Sequence, residues 1–188
     1  AGKTAGGGSG ATDFAKDSGR STLRLAVECS DAAIRDAGLR PEQIDGMVLF
    51  TVEDNHEIAV ARNLGIKELT HFSRIHHSGG AACGTLHQAA MAVATGSANY
   101  VVVYRALNGR SGQRMGQGVS GDIITSDLVH WSWYMPFGLV TPASWIALQA
   151  QLYMHQYGAT SEHFAQVAIS QRAHAQNNPE AAMYGKPM

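Results

Sequence analysis

The densest group of chemically capable residues lies in one turn. His77-Ser78-Gly79-Gly80 runs into Ala81-Ala82-Cys83, and small, mostly apolar residues continue to Gly96. A strand that passes through a glycine pair straight into a helix leaves backbone N–H groups free at the helix start. Those orphan donors and the helix dipole favour negative charge together, so the turn suits an oxyanion or a thiolate. Glycine here serves close backbone packing equally well, and the residues alone leave both uses open.

Other arrangements fall short of a site. Gly2-Lys3-Thr4 looks like the tail of a phosphate-binding loop, but lacks the glycine four residues earlier and a preceding strand. Gly6 to Gly10 has no apolar strand ahead of it, so a dinucleotide fingerprint fails on context. Nine histidines raise the question of a metal. His71, His76 and His77 follow no HExxH or H-x-E…C-x-x-C pattern, and neighbours on a strand end point to opposite sides; no metal site is expected. His130, His155, His163 and His174 are scattered and read as surface or hydrogen-bonded positions. Arg105, Arg110, Arg114 and Lys186 are the cations available to phosphates, or ordinary surface charge. The aromatic run Trp131 to Phe137 suits an apolar ligand groove, or core and dimer packing.

The elements that must position these residues follow from periodicity. Leu23, Val27, Ile34 and Ala37 repeat with helical spacing between Ser21, an N-cap, and Gly38, a stop. Pro41 to Gln43 is a turn. The apolar run Ile44 to Phe50 predicts a strand covered on both faces. A helix over Glu57 to Leu64, a strand over Leu69 to Ile75, a small-residue helix ending near Gly96, and a valine strand over Asn99 to Arg105 complete an alternating pattern. That alternation predicts α/β layers on a mostly parallel sheet. The helix starting at Ala81 is apolar almost all round, which predicts burial. After Asn108 the texture changes. Gly109 to Gly121 reads as a loop, and helices are predicted over Pro142 to Tyr157 and Ser161 to Ala175, the latter with a weak capping pattern, Thr160-x-x-His163. The expected division is residues 1–108, an α/β domain, and 109–188, a helical insertion.

Composition narrows the function classes. The 188 residues hold 14 Lys+Arg against 15 Asp+Glu, with 45% apolar and 15% charged residues. A solvated disordered tail is excluded, and there is no electrostatic reason to expect nucleic acid or an anionic membrane as partner. Cys29 and Cys83 stand far apart without CxxC, so neither a disulfide framework nor a zinc ribbon is expected. No apolar run approaches the roughly 18–20 residues of a membrane span. Ala1 to Gly10 lacks an apolar signal-peptide core, and a reducing, cytoplasmic setting is the expectation.

A set of motifs carries a family resemblance. Asp36-Ala37-Gly38-Leu39-x-Pro41-x-x-Ile44-Asp45-Gly46, the helix ending Ala92-x-Ala94-x-Gly96, and the valine strand resemble the first half of a thiolase-superfamily chain. More narrowly, Asp13-Phe14-x-Lys16-Asp17-Ser18-Gly19-Arg20-Ser21, Gly79-Gly80-Ala81-Ala82-Cys83, Gln88 to Gly96 and Tyr104-Arg105-Ala106-x-Asn108-x-Arg110-Ser111-Gly112 resemble the thiolase-like lipid-transfer proteins of bacterial sterol degradation. Gly138-Leu139-x-Thr141-Pro142, Tyr153-Met154, Tyr157 to Thr160 and Asn178-Pro179 continue the likeness. It covers nearly the whole chain from Gly10 onward.

The resemblance implies a thiolase-like layered α/β fold, present here as its N-terminal half with a mostly helical loop insertion. It implies an aldolase: a lyase that cleaves a steroid β-hydroxyacyl-CoA thioester to a 17-ketosteroid and a shortened acyl-CoA. Thiolases place a nucleophilic cysteine at the start of the buried helix; counting back from Gly96, that position is Gly79, which has no nucleophile. Cys83 lies a turn further in and is expected to face the core. The implied catalytic set is His77, Ser78, Gly79 and Gly80, with the backbone N–H groups from Gly80 to Ala82 stabilising an enolate oxygen. A tyrosine is common in the family where His77 stands. Cys83, Asn108, Trp131, Tyr134 and Phe137 are the implied substrate contacts, and Arg105, Arg110 and Arg114 the CoA contacts. The implied partners are an acyl-CoA steroid thioester, a second copy of the chain and a small OB-fold, zinc-ribbon acyl-CoA-binding protein. No cofactor beyond the substrate's CoA and no metal is called for. A thiolase-type acyltransferase and a non-catalytic acyl-CoA or lipid carrier are the competing functions.

Two departures stand out. The family begins with an apolar strand where this chain has Ala1 to Gly8, so the first strand is expected to be weak or absent. Relatives continue into a second α/β half that carries the catalytic base, whereas this chain stops at Met188. A fragment is therefore expected, with one face of the small-residue helix uncovered. That predicts insolubility, a partner chain or a tight dimer.

Overall fold

Ser21 starts the first helix by accepting the Arg24 N–H on its hydroxyl at 3.2 Å. This helix, α1, spans Thr22–Asp36 and turns Leu25, Ala26, Ser30 and Ile34 inward. It ends two residues before Gly38, which takes the left-handed conformation at φ +70° and lets the Leu39 N–H return to the Ile34 carbonyl at 3.0 Å. The computed structural model describes residues 2–15, 17–50, 55–75, 81–109 and 132–186. The chain divides into two compact units, Ala1–Gln113 and Arg114–Met188.

In the first unit, a short 3-10 turn at Pro41–Gln43 leads to strand β1, Gly46–Phe50. Helix α2 (Glu57–Leu64), strand β2 (His71–Ile75), helix α3 (Ala81–Thr95) and strand β3 (Val101–Tyr104) follow. The sheet order is β2-β1-β3. Both pairings are parallel, with Gly46 opposite His71 on one side and Val101 on the other. Central position explains why all five residues of β1 are buried. Alternation along the strands puts Met47, Leu49, Val102 and Tyr104 in one cluster with Leu25, Ile34 and Val60 of α1 and α2. Helix α3 packs against all three strands. The expected α/β layering is therefore present. Residues 2–15 form no strand, in keeping with the missing Ile and Val there.

The strands are shorter than the apolar runs predict, because the residues just ahead of them are engaged otherwise. The Asp45 carboxylate accepts the backbone N–H of Asn99 at 2.9 Å, the Asn99 side-chain amide at 2.8 Å and the Tyr100 N–H at 2.8 Å. The Asp45 carbonyl accepts from the Thr70 and His71 N–H groups. The Thr70 hydroxyl lies 3.1 Å from that carbonyl and 2.9 Å from the Ser97 carbonyl. One aspartate thus ties together the entrances of all three strands. Next to it, a Cβ on Gly46 would lie 2.7 Å from Val101 Cγ2 and 3.1 Å from Ala98 Cβ, so a larger residue there must displace the Val101 side chain.

Glycine also decides how the N-terminal segment lies. A Cβ on Gly8 would sit 2.5 Å from the Ala37 nitrogen and 2.6 Å from the Ala33 carbonyl. Gly8 thus serves close backbone approach to α1.

In the second unit a 3-10 turn covers Met135–Phe137, followed by α4 (Pro142–Tyr157) and α5 (Ser161–Ala175). Both helices have the limits their capping residues predict. Thr141 caps α4 by accepting the Ser144 N–H at 3.1 Å, and Gly158 closes it at φ +65°. At α5 the capping pattern proves complete: His163 Nδ1 accepts the Thr160 N–H at 2.9 Å, the role usually taken by Glu. Tyr153 bridges the helices, 4.8 Å from the Tyr157 ring and 6.3 Å from the Phe164 ring. No residue of α4 or α5 is buried.

Partial burial pushes the Asp45 carboxyl up, but the N–H groups of Tyr100 and Asn99 outweigh it and hold it below the usual carboxylate range. A lowered folded-state value contributes stability above the ordinary carboxylate pKa, and that contribution is lost as pH falls through the lowered one. Asp45→Ala is expected to cost about 2 kcal/mol at neutral pH, from charge-assisted hydrogen bonds. In urea unfolding followed by circular dichroism, the gap to wild type should stay constant down to pH about 4 and close below it.

Candidate functional site

In open α/β sheets, ligands bind outside the carboxyl ends of the strands. Here that edge is marked by Phe50, Ile75 and Tyr104, the last residues of three parallel strands. Three polar features collect on it. Glu57, in the first turn of α2, is buried, and its carboxylate is gripped by Arg74, the penultimate residue of β2. Arg74 Nε lies 2.8 Å from one oxygen and Nη2 2.9 Å from the other, a bidentate pairing. The Arg105 guanidinium stands 4.9 Å over the Phe50 ring, a cation–π contact joining the ends of β3 and β1. Asn55, just before α2, is 4% exposed and finds no hydrogen-bond partner for either end of its amide among the described residues. Buried amides are nearly always satisfied, so this one marks a place where a polar group can be received.

A second feature of the first unit is a cavity of about 500 Å³, within the range that holds small ligands. It is lined by residues 8–15, by Cys29, Ser30 and Ala33 of α1, and by Val103–Gly109. Ser30 is 1% exposed, and its hydroxyl has no partner among the described residues. Burial pushes the Cys29 thiol up, and its S–H faces the Ala26 carbonyl at 3.3 Å.

The residues expected to form the site are distributed as follows. His77, Ser78, Gly79 and Gly80 lie outside the described residues, as do Trp131, Arg110 and Arg114. Arg105 and Asn108 both line the cavity. Asn108 is half-buried and donates from its side-chain amide to the Arg20 carbonyl at 2.7 Å. Tyr134, in the second unit, is half-buried, its ring 5.2 Å from that of Trp145. Phe137 is exposed. Lys186 bonds to the Ala182 carbonyl.

Cys83 corrects an expectation. It does not face the core; it is exposed. Helix α3 turns Thr85 and Ala92 inward, and leaves Cys83, Leu86, His87 and Met91 outward. Apolar residues all round a helix carry no information about which side meets the sheet. The predicted open face is thus present on α3, although it carries Cys83. Glu57, Arg74 and Asn55 were not predicted. The sequence signal for Glu57 is an acidic residue in a helix's first turn; nothing in the spacing links it to Arg74. Among the described residues no three of His, Cys, Asp and Glu gather as a metal site, and no helix is long and apolar enough to cross a membrane.

No protein-family model matches the sequence. The chain is 56% identical over 183 residues to a steroid side-chain-cleaving aldolase of Thermomonospora curvata, covering 96% of this chain and 47% of the relative. It is 55% identical to a 17-hydroxy-3-oxo-4-pregnene-20-carboxyl-CoA lyase of Mycobacterium tuberculosis, with the same coverage of both chains. Among solved structures it matches the Ltp2-ChsH2(DUF35) aldolase at a TM-score of 0.82 and 55% identity, over 97% of this chain and 46% of that one. The chain spans about half the length of these relatives.

The two cysteines should differ in reactivity. In this 188-residue chain, iodoacetamide at pH 8 is expected to alkylate exposed Cys83 at least about tenfold faster than Cys29, whose thiol is half-buried and shifted up by desolvation. Peptide mass spectrometry over a time course measures both, and equal rates would contradict the orientation of α3.

Proposed function

We propose that this chain is a member of the thiolase-like family of steroid side-chain-cleaving aldolases and supplies about half of an enzyme that cleaves a steroid β-hydroxyacyl-CoA thioester by a retro-aldol step. The observation that carries the proposal is 55–56% identity to two such lyases along nearly the whole chain. The reaction belongs to bacterial sterol, including cholesterol, catabolism.

The step needs no oxidant or reductant. A base takes the proton of the β-hydroxyl, and the bond between the α and β carbons breaks. Its electron pair passes into the thioester as an enolate, while the hydroxyl carbon leaves as the 17-ketone. Protonation of the α carbon then gives the shortened acyl-CoA. Backbone N–H groups from Gly80 to Ala82 are assigned to the enolate oxygen. His77 and Ser78 are assigned to proton handling beside them, with the principal base in the part of the enzyme beyond this sequence. Arg105, Arg110 and Arg114 are assigned to the CoA phosphates. Cys83, Asn108, Trp131, Tyr134 and Phe137 are assigned to the acyl and steroid portions.

The enzyme is proposed to act as a homodimer in the cytoplasm, with an OB-fold, zinc-ribbon acyl-CoA-binding partner. The name of the solved relative couples Ltp2 with ChsH2(DUF35), which supports a partner protein of some kind. The open face of α3 and the outer position of β3 in the sheet support further polypeptide packed against this unit.

The test is the whole enzyme, co-expressed with its partner and supplied with 17-hydroxy-3-oxo-4-pregnene-20-carboxyl-CoA. Mass spectrometry should detect a 17-ketosteroid and a shortened acyl-CoA in equal amounts. His77→Ala is expected to lower kcat about 100-fold or more. An acyl group found on Cys83 would favour the acyltransferase instead, and tight binding without products the carrier.

A further inference from the structure

We propose that Glu57 and Arg74 are positioning residues: their bidentate pair sets the geometry of the strand edge from which β2 leads toward α3. The proposal rests on the aldolase reading above for its kinetic consequence, though not for its structural one. Glu57 is almost wholly buried and Arg74 is a little over one-third exposed. Two N–H···O bonds, 2.8 Å and 2.9 Å, join the second-to-last residue of an outer strand to the first turn of α2. Parallel pairing sets Arg74 opposite Leu49 and Ile75 opposite Phe50, so the pair lies at the carboxyl end of the sheet.

A buried ion pair adds little net stability, because desolvation offsets the attraction; apolar residues of similar volume do as well or better. Its distinctive contribution is direction. A planar guanidinium forked onto a carboxylate fixes both distance and angle, which dispersion contacts do not. β2 pairs with β1 and is tied at its entrance to Asp45, but its exit end is poorly covered: it is an outer strand, none of its five residues is buried, and Phe72 is 59% exposed. Asn55, two residues before Glu57, is a buried amide with no described partner. The same edge therefore holds one polar group fixed with precision and another left open to receive a hydrogen bond.

The test compares wild type, the double variant Glu57→Met/Arg74→Met, and Arg74→Lys, each as the whole enzyme. The double variant removes the fork but keeps the volume; Arg74→Lys keeps the charge and loses the bidentate geometry, and it serves if the double variant fails to fold. Three readouts are taken: Tm, amide hydrogen exchange over β2 and the first turn of α3, and cleavage kinetics. The expected result is a Tm close to wild type, exchange about tenfold faster in that region alone, and kcat reduced about 100-fold in the double variant and about tenfold in Arg74→Lys, with KM within about twofold. Unchanged local exchange in Arg74→Lys overturns the proposal, as does a uniform rise in exchange with a parallel fall in Tm, which marks a merely structural pair. If wild type cleaves nothing, the aldolase reading fails, and the exchange result still decides the positioning role.

Discussion

The first unit depends on one carboxylate. Asp45 sits where three parallel strands begin, and its side chain and carbonyl together collect hydrogen bonds from residues 70, 71, 99 and 100. Parallel strands share no hairpin turn that could set their register, so register must come from elsewhere. Here it comes from a polar knot at the entrance edge. With that edge fixed, β1 lies centrally and buried, α1 and α2 share a core on one face, and α3 lies against the sheet as well.

The two ends of the sheet are built differently. The entrance is tied by a set of hydrogen bonds centred on Asp45. The exit carries a forked ion pair, a guanidinium over an aromatic ring and a buried amide without a described partner. Such a division is what a site on a rigid scaffold requires. One end holds the strands in place, and the other keeps polar groups in defined positions.

Legibility in the sequence tracked the range of the interactions. The limits of α2, α4 and α5 followed from Gly65, Pro142, Gly158, Thr160 and His163, because caps are local chemistry. The α/β class followed from alternation. Strand ends were overestimated because the residues ahead of each strand answer to Asp45, and that partnership spans 54 positions from Asp45 to Asn99. The outward face of Cys83 was hidden because an evenly apolar helix has no directional pattern. Of the candidate site, Arg105 and Asn108 were named from the family motif and share one cavity. Glu57 and Arg74 carry no joint signal in the sequence, since no spacing rule relates a helix's first turn to a strand's end.

Gly46 carries a consequence for how this sequence can drift. Its missing Cβ is space already occupied by the Val101 side chain. Positions 46 and 101 therefore share one volume, and position 46 cannot grow unless 101 shrinks. A larger residue at 46 demands a smaller one at 101, and the intermediate with only the first change would push β1 away from β3 and stretch the bonds that Asp45 makes to residues 99 and 100. A smaller residue at 101 should therefore be found alone, whereas a larger one at 46 should be found only in lineages that already carry that reduction.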